Sequence, residues 1–324
     1  MNRLRAVREI EGWTQHQLSE MLGVSPQAIS AVERGQRPLT FSIEPTGYSD
    51  DRFLLPDMSE PLHRQKAATK ITDTHRAKEL LRLAGEVLIE LRTRIPNAPQ
   101  SRLEPLDAPM RLDAMEDAAI DIRLLLSHET SGPIRNLTKL VERSGVCLIP
   151  LVGLPGIDGI SAWVEEQPVI GLSPSVPGDR FRFSLAHELA HLLFHRQKRN
   201  TTEDEANRFA GAFLIPRHDF DHAVADSPTL RDFIGLKSNT GVSVAALIYR
   251  AHELGYIDDH RYRSLQIQMA RWRKSEPGEF APVVGGLLPR MVEVSGGADE
   301  VAKQLGFPTR HIREVTNWSV LRAA

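Results

Sequence analysis

The pentapeptide His187-Glu188-Leu189-Ala190-His191 constrains the fold of this chain more than any other part of its sequence. On an α-helix, residues i and i+4 lie one above the other, with Cβ atoms about 5–6 Å apart. Two imidazoles at this spacing can bind one metal ion, and zinc lowers the pKa of a bound water to about 7. The pattern therefore predicts a helix that carries a water-activating zinc site. The alternative is a coincidental match on a surface helix.

The sequence around the pentapeptide has the periodicity of a helix. Apolar residues recur at helical spacing through residues 179–195, and Pro177 and Gly178 precede this segment as a helix start. A second amphipathic segment covers residues 201–214 and is closed by Pro216, which cannot continue a helix. The sequence thus predicts two successive helices, the first of which carries both histidines.

A catalytic zinc site also needs a third protein ligand, with one coordination position left for water. The first turn of the second helix carries Glu203, Asp204 and Glu205. We expect one of these acids to complete the site. We favour Glu205 because it adjoins Ala206 and Phe209, which belong to the face that packs against the first helix. The alternative is that all three acids only stabilise the positive end of the helix dipole.

Three further histidines near the pentapeptide are not expected to bind this ion. His195 continues the four-residue spacing, but eight residues of helix separate it by about 12 Å from His187, so we interpret it as a helix-end residue. His218 and His222 are also four residues apart, but no glutamate follows the first of them. We interpret these two as surface or supporting residues.

The two helical segments resemble a known family. Residues 183–195 and 205–216 are similar to the ImmA/IrrE family of bacterial zinc metallopeptidases, which are small gluzincin-like domains commonly joined to a helix-turn-helix. The likeness extends upstream to strands of that family at residues 145–150 and 168–173. As a whole, the resemblance covers residues 110–275.

This resemblance implies a role for each residue of the site. By position, His187 and His191 would be zinc ligands, Glu188 the general base, and Glu205 the third ligand. Glu203 is so near in sequence that it stays an alternative third ligand.

The implied reaction is hydrolysis of a peptide bond, often in a transcriptional repressor whose cleavage releases genes for stress response or mobile-element transfer. Zinc would polarise the scissile carbonyl, while Glu188 takes a proton from water and returns it to the leaving nitrogen. A further donor would stabilise the oxyanion. The candidate donors in the sequence are Arg182, Tyr249 and His252.

The amino terminus carries a second pattern. A basic amphipathic helix is predicted over residues 2–11, a second helix is capped by Thr14 and extends to Leu22, and a third begins at Pro26 after a turn at Gly23. Two helices joined by a short glycine-containing turn form the reading element of a helix-turn-helix. This layout predicts a nucleic-acid-binding module.

Residues 13–35 resemble the Xre/Cro repressor family. The resemblance implies that Gln15 contacts phosphate. It also implies that Gln27, Ser30 and Ala31 face base edges. An amide side chain such as that of Gln27 can pair with adenine through two hydrogen bonds.

The module departs from an ordinary member of that family. The resemblance implies an ion pair between Arg8 and Glu33. Residues 1–40 contain five arginines and four glutamates, however, so the net charge of this segment is only weakly basic. Because affinity comes mostly from phosphate neutralisation, we expect one copy to bind DNA weakly. Two further helices would follow Leu39 in the family, whereas residues 41–61 lack helical periodicity. The alternative is a three-helix unit that docks a protein.

A long helix is predicted over residues 74–94, with one apolar stripe for a core or an interface. We expect it to dock on the peptidase domain or to pair with another copy of the chain. Basic residues precede it or begin it: His63, Arg64, Lys66, Lys70, His75, Arg76 and Lys78. Four prolines within residues 95–109 then indicate a domain boundary.

The rest of the chain is predicted to be mostly helical. The predicted helices cover residues 110–127, 133–144, 242–255, 259–274, 297–305 and 309–317, and the predicted strands cover 146–150, 159–165 and 168–172. Residues 276–289 form a break rich in proline and glycine. The last two helices form a hairpin that is either another helix-turn-helix or a packing lid.

Global composition agrees with a cytoplasmic protein of two or three domains. The chain has 324 residues, of which 41% are hydrophobic and 25% charged. No signal peptide and no apolar run long enough to span a bilayer are predicted. Cys147 is the single cysteine, which excludes a disulfide framework and a cysteine zinc site. With a net charge of −2, any nucleic-acid binding must be local.

Together these patterns predict a mostly helical α+β protein in four parts. These are a truncated helix-turn-helix at 1–40, a connector at 41–109, a gluzincin-like zinc peptidase domain with a small sheet at 110–275, and a helical segment at 276–324. The predicted function is zinc-dependent cleavage of a regulatory protein such as a repressor. The alternative is a non-proteolytic DNA-binding regulator that uses the peptidase-like domain as a sensor or interaction platform. Neither function involves a membrane, and both allow an oligomer.

Overall fold

A computed structural model describes residues 2–61, 69–109, 111–197, 199–224, 227–272 and 276–318 of the chain. Their α-helices are Arg3–Glu11 (α1), Gln15–Leu22 (α2), Pro26–Glu33 (α3), Ile71–Arg94 (α4), Ala114–Ser127 (α5), Leu137–Arg143 (α6), Gly178–Phe194 (α7), Thr202–Leu214 (α8), Arg217–Ala223 (α9), Leu230–Thr240 (α10), Val244–Glu253 (α11), Asp259–Met269 (α12), Leu287–Val294 (α13), Ala298–Leu305 (α14) and Thr309–Thr316 (α15). Their strands are Cys147–Pro150 (β1), Gly159–Val164 (β2) and Gln167–Leu172 (β3).

The predicted mostly helical α+β class is confirmed, and the elements predicted from periodicity are present with shifted ends. The helices α9, α10 and α13 are additional to the prediction. Three predicted features lie partly outside the described residues: the basic residues His63, Arg64 and Lys66, the helix start at residue 110, and the helix end at 273–274. No helix within the described residues has the length and apolar character needed to cross a membrane.

The chain forms two compact units, each assembled from separate stretches of sequence. The first unit contains the described residues of 1–103, 145–173 and 285–324, and the second contains those of 104–144 and 174–284. The three strands therefore cluster with the first unit, although their sequence lies within the stretch predicted as the peptidase domain.

The first unit is built around α4, which is buried along most of its length. β1 pairs with β3 in parallel, β2 pairs with β3 antiparallel, and the sheet order is β1-β3-β2. A Cβ atom on Gly85 of α4 would lie 2.4 Å from the Cβ atom of Val164 in β2. Only glycine therefore allows α4 to approach the sheet this closely. The predicted apolar stripe of the long helix thus packs on the sheet.

Helices from the amino-terminal and carboxy-terminal parts of the chain pack together in the first unit. α14 and α15 resemble α2 and α3 in layout, because each pair joins eight-residue helices through a left-handed glycine, Gly23 at φ 66° and Gly306 at φ 67°. The Tyr48 hydroxyl lies 2.8 Å from Nδ1 of His311, whose Nε2 lies 2.8 Å from the carboxylate of Glu11. The carboxy-terminal hairpin thus packs against the end of α1 and the segment after α3, and residues 34–61 of that segment contain no α-helix.

The second unit contains helices but no strand among its described residues, and it is organised around α7 and α8. The rings of Phe194 on α7 and Phe209 on α8 pack edge to face at 5.6 Å. α8 also packs against α5, where the buried Arg123 donates to the backbone carbonyl of Phe213 at 2.7 Å. These contacts hold α8 against α7, the helix that carries the pentapeptide.

Candidate functional site

His187, Glu188 and His191 are all buried on α7. One ligand atom from each residue lies within 4.8 Å of the other two, and the Nε2 atoms of the histidines are 3.0 Å apart. Two nitrogen ligands on one tetrahedral zinc, each at about 2.0–2.1 Å, would be roughly 3.3 Å apart. The pair of imidazoles therefore has a spacing that suits a single ion.

Glu203 is the acid of α8 that faces both imidazoles. Its carboxylate oxygens lie 3.5 Å from Nε2 of His187 and 3.7 Å from Nε2 of His191. One turn later on α8, the Oδ1 atom of Asn207 lies 3.0 Å from Nδ1 of His187. Two imidazoles and one carboxylate form a donor set that zinc accepts in catalytic sites. The residues present thus fit a zinc ion.

Glu205, the acid favoured from the sequence, makes a different set of contacts. Its Oε2 atom lies 2.9 Å from Nε2 of His195 and 2.9 Å from a guanidinium nitrogen of Arg199. Residues two apart on a helix are rotated by about 200°, so Glu203 and Glu205 cannot face the same imidazole pair. Glu205 is buried, as its position next to Ala206 and Phe209 indicates. That position does not decide which acid lies opposite His187 and His191.

Asn207, His195 and Arg199 are site residues that the sequence argument missed or set aside. The available signal was the four-residue spacing of Glu203 and Asn207, since residues at i and i+4 share one helix face. Asn207 also fixes a proton, because an amide oxygen only accepts hydrogen bonds. With the amide in this orientation, Nδ1 of His187 carries the ring proton and Nε2 offers its lone pair to the site.

Burial and neighbouring charges set the ionisation of the Glu205–His195 pair. Burial lowers the pKa of His195, and the hydrogen bond with Glu205 only partly offsets this effect. Burial also raises the pKa of Glu205, but hydrogen bonds with Thr201 and His195 and the charge of Arg199 outweigh it and lower that pKa. The pair therefore holds a neutral imidazole beside an ionised carboxylate.

The three oxyanion candidates differ in what they contact. Arg182 donates to two backbone carbonyls, and Nε2 of His252 lies 2.7 Å from the carboxylate of Asp259. Tyr249 is 48% exposed. Burial and nearby carboxylates, among them that of Asp204 in the first turn of α8, raise the pKa of Tyr249. Tyr249 is thus the most exposed of the three candidates.

The helix-turn-helix has the internal contacts that its resemblance implies. Arg8 forms an ion pair with Glu33 through contacts of 2.6 and 3.0 Å. Gln15, the expected phosphate contact, donates from Nε2 to the same Glu33 carboxylate at 2.9 Å. Thr14 caps α2 in a reciprocal capping box with Gln17. The amino-terminal end of α2 is therefore held in one orientation.

The residues expected to face bases differ in exposure. Gln27 is exposed at the start of α3, whereas Ser30 and Ala31 are half-buried. Arg34 and Arg37 follow α3 and are exposed. The exposed surface of α3 therefore includes the amide of Gln27, and the cations Arg34 and Arg37 are exposed just beyond its end.

Two family models match the sequence. The IrrE N-terminal-like domain of peptidase family M78 matches residues 142–257, and a helix-turn-helix family matches residues 4–43. The first match contains the whole candidate metal centre, and the second contains α2, α3 and all of α1 except its first residue, Arg3. No curated protein matches the chain. The chain therefore contains an IrrE N-terminal-like domain and a helix-turn-helix, which is the combination that the sequence resemblance implies.

Proposed function

We propose that this chain is a zinc-dependent metallopeptidase that cleaves a regulatory protein, such as a transcriptional repressor. The observation that carries the proposal is the convergence of His187, His191 and Glu203, whose facing atoms lie 3.0, 3.5 and 3.7 Å apart. The match to a peptidase family supports an amide as the bond that is broken.

His187, His191 and Glu203 would hold the metal, so Glu203 takes the role that the sequence argument gave to Glu205. When bound, zinc supplies a Lewis acid that polarises a carbonyl oxygen and acidifies water. The chain's part is to place Glu188 beside these residues and to fix the direction of the two imidazoles.

Glu188 is 2% exposed and adjoins the imidazoles. In the proposed reaction, its carboxylate accepts a proton from the attacking water. It then returns that proton to the amide nitrogen, and the carbon–nitrogen bond breaks as this nitrogen leaves. The hydroxyl of Tyr249 is our proposed donor to the oxyanion.

The test uses the full-length chain, co-expressed with the product of each neighbouring gene and analysed by mass spectrometry for one defined cut. We expect the wild type to hold one zinc ion and to cut one partner. Glu188→Gln should keep the zinc and lower the cleavage rate by about 10²-fold or more, because it removes the general base. The matched control is Glu129→Gln, at an exposed glutamate. A wild type without zinc, or a Glu188→Gln variant that cuts at the wild-type rate, would overturn the proposal.

DNA binding is a second candidate function, supported by the exposed Gln27 on a helix-turn-helix. Deleting residues 1–40 is a poor test because α1 packs on α4, where Arg76 donates to the carbonyl of Ile10 at 2.7 Å. Point variants leave that packing intact. Loss of a base contact typically removes about 1–3 kcal/mol of discrimination.

For this candidate, the probe is DNA that flanks the chain's own gene. Gln27→Ala should weaken its capture about tenfold or more, whereas Glu188→Gln and the exposed Gln268→Ala should not change it. Equal capture by the wild type and Gln27→Ala would argue against DNA reading by α3.

A further inference from the structure

We propose that His195 and Glu205 act as a positioning relay that sets the tautomer and the basicity of His191. This inference rests on the proposed metal centre and adds two residues that do not bind the ion themselves. It also explains why a buried histidine and a buried acid stand behind the site rather than in it.

The relay is a continuous line of short polar contacts. Nδ1 of His191 lies 2.9 Å from Nδ1 of His195, and Nε2 of His195 lies 2.9 Å from Oε2 of Glu205. Arg199 closes the line with a contact of 2.9 Å to the same carboxylate oxygen. The side chain of His195 is 0% exposed and that of Glu205 is 8% exposed, so water does not compete for these contacts.

The protons along the line can be assigned from the chemistry of the groups. Nε2 of His191 faces His187 and Glu203 and must offer a lone pair to the proposed metal, so the ring proton of His191 lies on Nδ1. Nδ1–H of His191 therefore donates to Nδ1 of His195, and the ring proton of His195 lies on Nε2. That Nε2–H donates to Oε2 of Glu205.

Local backbone geometry makes this line possible. α7 ends at Phe194, and His195 is the C-cap residue with φ −121° and ψ 95°, outside the helical region. A residue beyond the helix end can turn its ring back toward the preceding turn. α8 supplies Glu205 from the opposite side. The histidine that is too far along α7 to be a ligand therefore supports one.

The two metal-facing histidines then have unlike partners. His187 is oriented by the neutral amide of Asn207, whereas His191 is oriented by a line that ends in an ionised carboxylate. A carboxylate behind a histidine raises the basicity of that ligand, and loss of such outer contacts typically lowers metal affinity about 10–100-fold. We therefore expect His191 to be the more basic ligand.

The test measures zinc affinity of the full-length chain by competition with a chromophoric chelator. His195→Leu should weaken zinc binding about 10–100-fold while one ion still binds, and Glu205→Gln should weaken it less, because the amide keeps a hydrogen bond but loses the charge. Glu203→Gln should bind zinc more weakly than either of these two variants, since it removes a ligand. The control is His222→Leu, on α9. Unchanged affinity in His195→Leu and Glu205→Gln would overturn the relay.

Two other outcomes separate this inference from the proposed function. If Glu205→Gln abolishes stoichiometric binding while Glu203→Gln retains it, Glu205 is a ligand and the relay is wrong. If the wild type binds no zinc, the metallopeptidase proposal fails, and the relay is then judged on the metal-free protein.

The relay is tested in the metal-free chain by nitrogen-15 NMR of the histidine rings. We expect the Nδ1–H tautomer at His191 and the Nε2–H tautomer at His195. Glu205→Gln should shift His191 toward a mixture of tautomers, and it carries the test if His195→Leu does not fold. A purely structural role would lower the unfolding temperature and leave the tautomers unchanged, which would overturn the inference.

Discussion

Glu203 and Asn207 stand one turn apart on α8, and both face the imidazoles of α7. Residues at this spacing share one face of a helix, so a single surface of α8 offers both a carboxylate to the proposed ion and an acceptor that orients His187. Glu205, on another face, serves His195 instead. The proposed centre therefore uses two faces of one helix for two different tasks.

Asn207→Ala is expected to lower zinc affinity about tenfold or more, because Nδ1–H of His187 loses its acceptor and the ring becomes free to change its tautomer. Asn207→Asp keeps an acceptor and should keep most of the affinity. The measurement is chelator competition, with the exposed Asn239→Ala on α10 as control. Equal affinities for Asn207→Ala and Asn239→Ala would contradict the role given to Asn207.

Lys237→Met is expected to destabilise the second unit by about 3–5 kcal/mol at neutral pH, because it leaves a buried carboxylate without its cation. Lys237 is 2% exposed and lies 2.5 Å from Asp179, which is 3% exposed, and 3.0 Å from Glu276. Urea unfolding measures the difference, and the exposed Lys139→Met is the control. A loss no larger than that of Lys139→Met would contradict this account.

The same ion network predicts a pH dependence. Burial lowers the pKa of Lys237, but hydrogen bonds with Asp179 and Glu276 outweigh it and raise the pKa above the ordinary value of 10.5. Because the pKa of Lys237 is higher in the folded state, its contribution to the free energy of unfolding is complete below its pKa in the unfolded state. That contribution is lost as pH rises through its pKa in the folded state. The stability gap between wild type and Lys237→Met should therefore narrow at strongly alkaline pH. A difference in unfolding free energy that widens at alkaline pH would contradict a raised pKa for Lys237.

Gly85→Ala tests the close approach of α4 and β2. Its new methyl group would lie 2.4 Å from the Cβ atom of Val164, and overpacking of this kind typically costs about 1–3 kcal/mol. Gly235→Ala on α10 is the matched control, because its methyl group would meet nothing within 4 Å and should stabilise the helix by up to about 1 kcal/mol. Urea unfolding should show a lower free energy of unfolding for Gly85→Ala and a higher one for Gly235→Ala. Changes of the same sign in both variants would contradict the packing argument.

The sequence predicted the features that depend on local patterns. The four-residue spacing of His187 and His191 and the surrounding apolar stripe were sufficient to predict α7 and the histidine pair. The glycine turn between α2 and α3 was equally local. Even α10, which was missed, has a local signal in its capping box of Thr229 and Asp232.

The features that the sequence left undecided depend on how helices turn toward one another. The choice between Glu203 and Glu205 depends on the rotation of α8 about its axis, which periodicity fixes only loosely when acids occupy neighbouring positions. The relay needs the end of α7 to meet the start of α8. The contact between Tyr48 and His311 joins residues 263 positions apart, and no local pattern carries such a pairing.

That long-range pairing gives the last prediction. Ile312 on α15 is fully buried in the core cluster that also contains Leu4, Val7 and Ile29 of the amino-terminal helices. Ile312→Ala should remove about 2–5 kcal/mol of stability. Because α1 and α15 share this core, hydrogen exchange should rise in α1, α2 and α3 as well as in α15. Leu54→Ala, at a residue 82% exposed in the same unit, is the control. Faster exchange confined to α15 would mean that the helix-turn-helix folds without the carboxy-terminal hairpin.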